Sequence, residues 1–206
     1  MSSEYHSERA GPEHAEKLLA LFEGAGSGCF CNYWHFEGDK NAWLERCYLQ
    51  PEANRAALVA RLEAPELCGV VARTGAGNIC GWLKVMRAEQ LPRLYEQRVY
   101  RSLPFLQGPP GSREGVYAVG CVYVDEAERG KGVARSLLGA AIAAVRAAGG
   151  SALEAFPRGA ASDEAEASER LRADQLWMGP QALFHDAGFV AVSDFRPYPV
   201  LRLHLR

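Results

Sequence analysis

The chain has 206 residues, of which 48% are hydrophobic and 23% charged, a globular composition that excludes a disordered, collagen-like or coiled-coil chain. Its 25 acidic and 23 basic residues give a formal charge of −2, so no nucleic-acid partner is expected. No run approaches the ~18 apolar residues that a membrane helix needs, and the polar start Met1–His6 lacks the apolar core of a signal peptide. We therefore expect a soluble cytoplasmic protein without a membrane partner.

The first third of the chain predicts one short strand followed by helices. Pro12 opens an apolar pattern of helical spacing that Gly24 closes, and Pro51 stands in a first helical turn, where its missing N–H costs nothing. The predicted elements are a strand at Tyr5–Arg9 and helices at 12–24, Asn41–Tyr48 and Pro51–Leu62.

The pattern changes to strands after residue 66. Two β-rich runs, Leu67–Arg73 and Ile79–Arg87, flank a turn-forming segment and predict an antiparallel hairpin. A short helix at Pro92–Val99 and a loop rich in proline and glycine at Pro104–Gly115 are predicted next.

The run Val116–Val124 gives the clearest strand signal in the sequence. It is apolar at nearly every position, which is typical of a strand buried on both faces, and Gly120 in its middle predicts a bulge or a close backbone approach. A helix at Gly132–Ala148 and a strand at Ser151–Phe156 are predicted to follow. A strand, a helix and a strand in this order predict a parallel pair with a right-handed crossover.

The last quarter of the chain predicts a helix and a closing hairpin. Residues 158–174 are polar and charged, and the sequence leaves open whether they form a helix or a loop. A helix at Pro180–Ala187 and strands at Phe189–Asp194 and Val200–Leu205 complete the chain. We predict one α/β domain with a mixed, mostly antiparallel sheet flanked by helices, in four regions: 1–66, 67–157, 158–175 and 176–206.

A glycine-rich turn between the buried strand and the long helix has the most specific chemistry. The turn is Arg129-Gly-Lys-Gly132, and it leads into a helix whose first amides lack partners and whose dipole is positive at that end. Glycines let a phosphate approach those amides, and Arg129, Lys131 and Arg135 add positive charge. The segment therefore predicts a site for phosphate or pyrophosphate.

Two phosphate-binding motifs fit this segment poorly. A Walker loop requires serine or threonine after Gly-Lys, where this chain has Gly132. A dinucleotide-binding fingerprint requires a third glycine where Arg135 stands, and the four residues Asp125–Glu128 separate the strand from the turn. A nicotinamide-dinucleotide binder, with Glu154 as the ribose carboxylate, stays open as an alternative.

A third motif matches this segment. It consists of arginine or glutamine, two residues of any type, glycine, one residue of any type, and then glycine or alanine; here it is Arg129-Gly-Lys-Gly-Val-Ala134. In this motif, and in the late helix-to-strand junction Phe184-His-Asp-Ala-Gly-Phe189, the chain resembles the GNAT superfamily of acyl-CoA-dependent N-acetyltransferases. The resemblance covers roughly residues 67–205. Cys29-x-Cys-x-Tyr-Trp34 and Gly81-Trp82 are similar to a poorly characterised branch of that superfamily.

The resemblance implies a donor substrate and the groups that bind it. In this superfamily two central parallel strands splay apart, and the pantetheine arm of acetyl-CoA pairs with the first of them. It implies that main-chain groups of Val122–Val124 bind this arm and that one N–H polarises the thioester carbonyl. The implied acetyl-CoA-binding residues are Val122, Tyr123, Val124, Arg129, Gly130, Lys131, Gly132, Val133, Ala134, Arg135 and Phe184.

The sequence does not identify the residues that would accept and donate protons during an acetyl transfer. In many members a tyrosine on the late helix protonates the leaving thiolate, but Phe184 stands here and has no proton to give. Glu154, at the end of the second splayed strand, is our candidate base for the attacking amine; the alternative is a surface or ion-paired carboxylate. His35 is a second candidate, with a structural role as its alternative.

The cysteines match no metal or disulfide pattern. Six in 206 residues are sparse for a disulfide framework, and Cys29 and Cys31 have neither a second pair for zinc nor the C-x-x-C redox spacing. We expect no metal. The segment Cys29–Phe36 is expected either to line the acceptor pocket with Tyr33 and Trp34 or to cover the sheet as a hydrophobic plug.

The sequence thus predicts an enzyme that transfers an acetyl group from acetyl-CoA to a primary amine in a ternary complex. A catalytically weak acyl-CoA-binding module is the main alternative, and Phe184 is the feature that favours it. The acceptor is not identified by any motif, and a homodimer is left open.

Overall fold

A computed structural model describes residues 5–106, 113–159 and 176–205. Within these residues one mixed sheet has the strand order β1-β2-β3-β4-β5-β7-β6. The strands are β1 (Tyr5–Arg9), β2 (Gly69–Thr74), β3 (Ile79–Arg87), β4 (Val116–Val124), β5 (Ala152–Ala155), β6 (Val190–Ser193) and β7 (Val200–His204). In this sheet β4 and β5 run parallel and the other neighbours run antiparallel, which confirms the predicted fold class.

The helices are α1 (Ala15–Gly24), α2 (Lys40–Leu49), α3 (Pro51–Glu63), α4 (Pro92–Tyr95), α5 (Val133–Ala147) and α6 (Gln181–Asp186). Two of them differ from the prediction. Residues 12–14 form a 3₁₀ turn before α1, because the His14 ring accepts a hydrogen bond from the Gly11 amide. The helix predicted at Pro92–Val99 ends at Tyr95, and the chain continues in turns that bury Tyr100. The segment 158–174 falls almost wholly outside the described residues.

A bulge interrupts β4 at its midpoint. Lys84 of β3 lies opposite Cys121, and Val85 lies opposite Val119, so Gly120 has no partner on β3. A β-carbon on Gly120 would lie 3.1 Å from both the Lys84 Cδ and the Trp34 Cδ1 atoms. The bulge and the close approach predicted for Gly120 are therefore both present.

The parallel pair β4–β5 separates at the same level. Its register runs from Val116 opposite Ala152 to Ala118 opposite Glu154 and then stops. The half of β4 beyond the bulge therefore has β3 on one side and a gap on the other.

The two faces of the sheet carry separate cores. The helix α5 covers one face with an apolar stripe that includes Leu137, Ala141 and Val145. The other face is covered by α1, α3 and the segment 29–36, and it includes Trp34, Trp82 and Cys121. None of the helices in the described ranges is both long and apolar enough to cross a membrane.

Candidate active site

The glycine turn before α5 is open and lined with free amides. Gly130 and Gly132 have φ angles of 77° and 88°, a left-handed backbone that favours glycine. A β-carbon on either residue would meet no atom within 4 Å. The amides of residues 130–134 donate no hydrogen bond to any other described residue. Five unpartnered donors at the positive end of a 15-residue helix fit a diphosphate.

The cations around this turn form surface ion pairs with acidic side chains: Arg129 with Glu126, Lys131 with Glu128, and Arg135 with Asp186. The N–O distances are 3.7, 3.1 and 3.9 Å, and such exposed pairs contribute little. Arg129 also donates a hydrogen bond from its Nε to the Val124 carbonyl. Lys131 and Arg135 can therefore turn towards an anion bound above the amides at little cost, and Arg129 can do so by giving up its hydrogen bond to Val124.

The outer half of β4 presents its polar groups to the gap, but the chain itself uses them in this structure. The Val122 N–H donates to the Trp177 carbonyl at 2.8 Å, and the Val124 carbonyl accepts from the Arg129 Nε at 3.2 Å. The Tyr123 side chain lies on the face of the sheet that α1 covers, where its ring contacts Phe22 with ring centres 5.9 Å apart. A pantetheine arm bound along Val122–Val124 would have to displace the Trp177 carbonyl.

A turn at Leu176–Gly179 occupies the gap beside β4. The Trp177 ring stacks on Trp34 with centres 5.3 Å apart. A β-carbon on Gly179 would lie 3.0 Å from the Phe184 ring and 3.2 Å from Val122, so the turn fits tightly against both. Phe184 itself is fully buried beneath this turn, and its predicted contact with the donor stays a prediction.

A cavity of about 390 Å³ opens where β4 and β5 separate. Its walls are largely aromatic: Tyr33, Trp34, Tyr100, Phe156, Trp177 and Tyr198. The Trp34 Nε1 donates to the Gly120 carbonyl at 2.7 Å, which fixes one wall to the bulge of β4. The predicted segment Cys29–Phe36 thus contributes Tyr33 and Trp34 to the cavity, while Phe30 and Cys31 of the same segment are buried in the core.

Glu154 lies in a buried ion-pair cluster. Its side chain is 0% exposed, and it accepts from the Arg113 Nη2 at 2.6 Å, from the Arg202 Nε at 3.1 Å and from the Tyr95 hydroxyl at 2.6 Å. The ion-paired alternative given for Glu154 therefore describes its surroundings. Both carboxylate oxygens are engaged, so an amine proton has no direct path to them; the role of base stays a prediction.

Lys84 is a charged residue that the sequence analysis passed over. It is 1% exposed, and its Nζ donates to the Cys31 carbonyl at 2.8 Å beneath the bulge. Burial, together with the nearby Arg61 charge, lowers the pKa of Lys84 to about 8, although neighbouring thiols oppose the shift. The available signal was a lysine at an inward position of an otherwise apolar strand, between Trp82 and Met86.

The structure gives the other polar candidates, His35 and the cysteines, no evident catalytic role. Burial, with the charges of Lys84 and Arg61, lowers the pKa of His35 to about 2, so its ring is a very weak base at neutral pH. Burial, with the Cys31 charge, raises the pKa of Cys29 to about 11. All six cysteines lie in the described ranges and are unpaired, and these ranges contain no group of three His, Cys, Asp or Glu side chains that could hold a metal.

A parallel pair that separates at a bulge, next to an open turn lined with amides, is the architecture of acyl-CoA-dependent acyltransferases. The chain belongs to the acetyltransferase (GNAT) family, whose sequence profile matches residues 43–167, more than half of its length. A search of curated protein sequences finds no match.

Solved structures similar to this one include a GCN5-related N-acetyltransferase from Kribbella flavida, at 14% identity and a TM-score of 0.55 with 100% of both chains covered. Another is a protein assigned as an acetyltransferase from Salmonella typhimurium, determined with its cofactor acetyl-CoA. It has 16% identity and a TM-score of 0.54, with 98% of this chain and 94% of that chain covered. At these identities the similarity establishes the shared fold.

Proposed function

We propose that this chain is an N-acetyltransferase that moves an acetyl group from acetyl-CoA to a primary amine. The observation that carries the proposal is the set of free amides at residues 130–134, placed at the end of the strand that borders the gap. An adenine nucleotide with a diphosphate fits these donors, and its pantetheine arm would then extend along the outer half of β4.

The main chain of β4 would orient and polarise the thioester. The Val122 N–H faces the gap and already binds a carbonyl there, that of Trp177. A thioester carbonyl in the same place would receive the same hydrogen bond, which stabilises the negative charge that develops during attack. The Trp177 carbonyl therefore marks the position that we assign to the acyl arm.

Transfer would proceed by direct attack. The amine nitrogen forms a bond to the acyl carbon, the carbon–sulfur bond breaks, the nitrogen loses a proton and the thiolate gains one. Cys121 lies on β4, but its hydrogen bond with the Cys31 thiol and its burial raise its pKa well above the usual value. A protonated, buried thiol is a poor nucleophile, so the structure favours a ternary complex over an acyl-enzyme.

The two proton transfers have different candidates. Glu154 stays our predicted acceptor, and the Tyr95 hydroxyl that donates to it at 2.6 Å is the group through which a proton would reach it. Phe184 supplies no proton, so we assign protonation of the thiolate to water.

An acyl-CoA-binding module without turnover is the second candidate function. Two observations favour it: a phenylalanine at position 184, and the engagement of the Val122 N–H by Trp177. Thiol release from acetyl-CoA in the presence of an amine panel separates the two, because a binding module releases none.

The test of the turn is calorimetric titration of acetyl-CoA into Gly132→Asp, with two matched controls. Gly132→Asn has nearly the same shape and tolerates the left-handed backbone, but it adds no charge. Gly139→Asp adds the same carboxylate to an exposed position of α5, where a β-carbon meets no atom within 4 Å.

We expect Gly132→Asp to weaken binding at least a hundredfold, because its carboxylate replaces a bound anion next to the free amides. Gly132→Asn should bind more tightly than Gly132→Asp, and Gly139→Asp should bind like the wild type. Equal affinity in all four proteins would place the nucleotide elsewhere and overturn the proposal.

A further inference from the structure

The aromatic cavity at the separation of β4 and β5 has a charge pattern that selects among amine acceptors. We propose that it takes a primary amine with a flat apolar body and a carboxylate, of about the size of phenylalanine. This inference rests on the proposed function, because it names the acceptor class for the same reaction.

The size and walls of the cavity favour a flat apolar body. Its volume of about 390 Å³ lies near the lower end of the range typical of small-molecule sites, about 300–1,000 Å³. Two of its walls do not depend on the Trp177 turn: the Trp34 ring is held by its hydrogen bond to the Gly120 carbonyl, and Phe156 packs edge-on against Tyr100. Aromatic walls bind either a flat ring or an organic cation.

Charge decides between these two classes of ligand. Two arginines, Arg98 and Arg158, line the cavity, and no aspartate or glutamate among the described residues does. Among the described residues, a polyamine or another polycation would therefore meet two like charges and no carboxylate, which favours the flat apolar ligand over the polycation.

The two arginines are also without acidic partners in the described parts of the chain. No hydrogen bond or ion pair joins either side chain to another described residue, and the Arg158 Nε is buried with no acceptor. A guanidinium binds a carboxylate through two parallel hydrogen bonds. Arg158, next to the aromatic wall formed by Phe156, is placed to supply this fork.

The same charges would help to prepare the nucleophile. Only the neutral amine attacks a thioester, and nearby cations lower the pKa of an ammonium group. A carboxylate held by Arg158 would keep the acceptor's ring between the aromatic walls. Its amine would then lie towards Gly120 and the Val122 N–H, since Trp34 joins the cavity wall to the bulge.

The test uses acceptors that differ only in the carboxylate. Thiol release from acetyl-CoA is measured with L-phenylalanine, with phenethylamine and with spermidine, for the wild type, Arg98→Gln, Arg158→Gln and the control Arg101→Gln. Arg101 is exposed, three residues from Arg98, and does not line the cavity.

For the wild type we expect kcat/KM to be at least tenfold higher with phenylalanine than with phenethylamine, and to be lowest with spermidine. Arg158→Gln should lower kcat/KM for phenylalanine tenfold to a hundredfold, and Arg98→Gln by a smaller factor. Neither should change the value for phenethylamine more than twofold, and Arg101→Gln should change neither.

Three outcomes overturn the inference. Preference for phenethylamine or spermidine, unaffected by either arginine substitution, refutes the acceptor class while the transferase function stands. A preference for succinyl-CoA over acetyl-CoA that Arg158→Gln abolishes would place the carboxylate on the acyl donor instead.

The third outcome belongs to a second experiment, which is needed if acetyl-CoA neither binds nor reacts. The proposed function then fails, but the ligand class of the cavity can still be tested by binding. Binding of N-acetyl-L-phenylalanine and N-acetylphenethylamine is then compared directly, from the fluorescence of Trp34 and Trp177. Equal affinity for the two overturns the inference, and tighter binding of the acid that Arg158→Gln removes supports it.

Discussion

Replacing Glu154 with glutamine separates its structural role from the predicted catalytic one. Glutamine keeps the volume and can still accept from the Tyr95 hydroxyl, but it removes the negative charge that faces Arg113 and Arg202. Breaking a buried ion pair by removing one partner costs about 3–5 kcal/mol. The two arginine side chains keep 22% and 19% of their surface exposed, so part of their charge is solvated. We therefore expect a loss of about 3 kcal/mol.

Urea unfolding of the wild type and Glu154→Gln measures this loss. Glu23→Gln is the matched control, since Glu23 pairs with Arg55 at 3.3 Å with both side chains 54% exposed, and we expect it to cost about 0.5 kcal/mol or less. A loss below about 1 kcal/mol for Glu154→Gln would refute the view of this cluster as a buried network. A double-mutant cycle with Arg113→Gln should show a coupling of about 1 kcal/mol or more.

The same variant tests Glu154 as a base, provided that the assay is run where the variant is folded. If the carboxylate accepts the amine proton through Tyr95, Glu154→Gln lowers kcat and changes the dependence of the rate on pH. A folded variant whose pH–rate profile matches that of the wild type restricts Glu154 to holding β5, β7 and Tyr95 together.

Two further predictions concern the groups around the gap. Below pH 8 the Lys84 side chain is charged in both the folded and the unfolded chain, so the cost of burying its charge is fully present there. Between pH 8 and 10.5 only the folded chain releases the proton, and the free energy of unfolding therefore rises with pH. Lys84→Met removes the burial cost of the charge but also the hydrogen bond to the Cys31 carbonyl, so the sign of its net effect at pH 7 is not fixed by the pKa alone. In urea unfolding, the stability of the variant relative to the wild type should fall as the pH rises from 8 to 10; a constant difference would contradict the shifted pKa. Acetyl-CoA should change the intrinsic fluorescence by displacing the Trp177 turn, and Trp177→Phe should remove most of this signal. Trp43→Phe, which alters a buried ring away from β4, should retain the signal, and an unchanged signal in Trp177→Phe would show that the turn stays in place.

The central part of the fold is predictable because its signals are local. The bounds of the strands Tyr5–Arg9, Ile79–Arg87 and Val116–Val124 agree with the structure. Val116–Val124 is apolar at nearly every position, and a turn-forming segment precedes Ile79–Arg87. Gly120 and the turn Arg129–Gly132 are also local signals. A glycine inside a strand often marks a bulge, and glycines before a helix leave its first amides accessible to an anion.

The contacts that decide the chemistry are not local, and the sequence could not supply them. Glu154 meets Arg113 and Arg202 across separations of 41 and 48 residues, so only the sheet order brings these charges together. The bond between Val122 and Trp177 likewise depends on a turn far along the chain. Lys84 was visible as a charge inside an apolar strand, but its partner, the Cys31 carbonyl, comes from an irregular segment with left-handed φ angles at Phe30 and Cys31.

The bulge at Gly120 connects the donor side of the site with the acceptor side. Because the bulge takes Gly120 out of the ladder with β3, its carbonyl is free to accept from Trp34, which is a wall of the acceptor cavity. Two residues further on, the Val122 N–H faces the gap, where we place the thioester. One local irregularity in β4 therefore sets the position of the acceptor relative to the polarising donor. A β-carbon at Gly120 would lie 3.1 Å from both the Lys84 and the Trp34 side chains, so any other residue there requires these two side chains to shift.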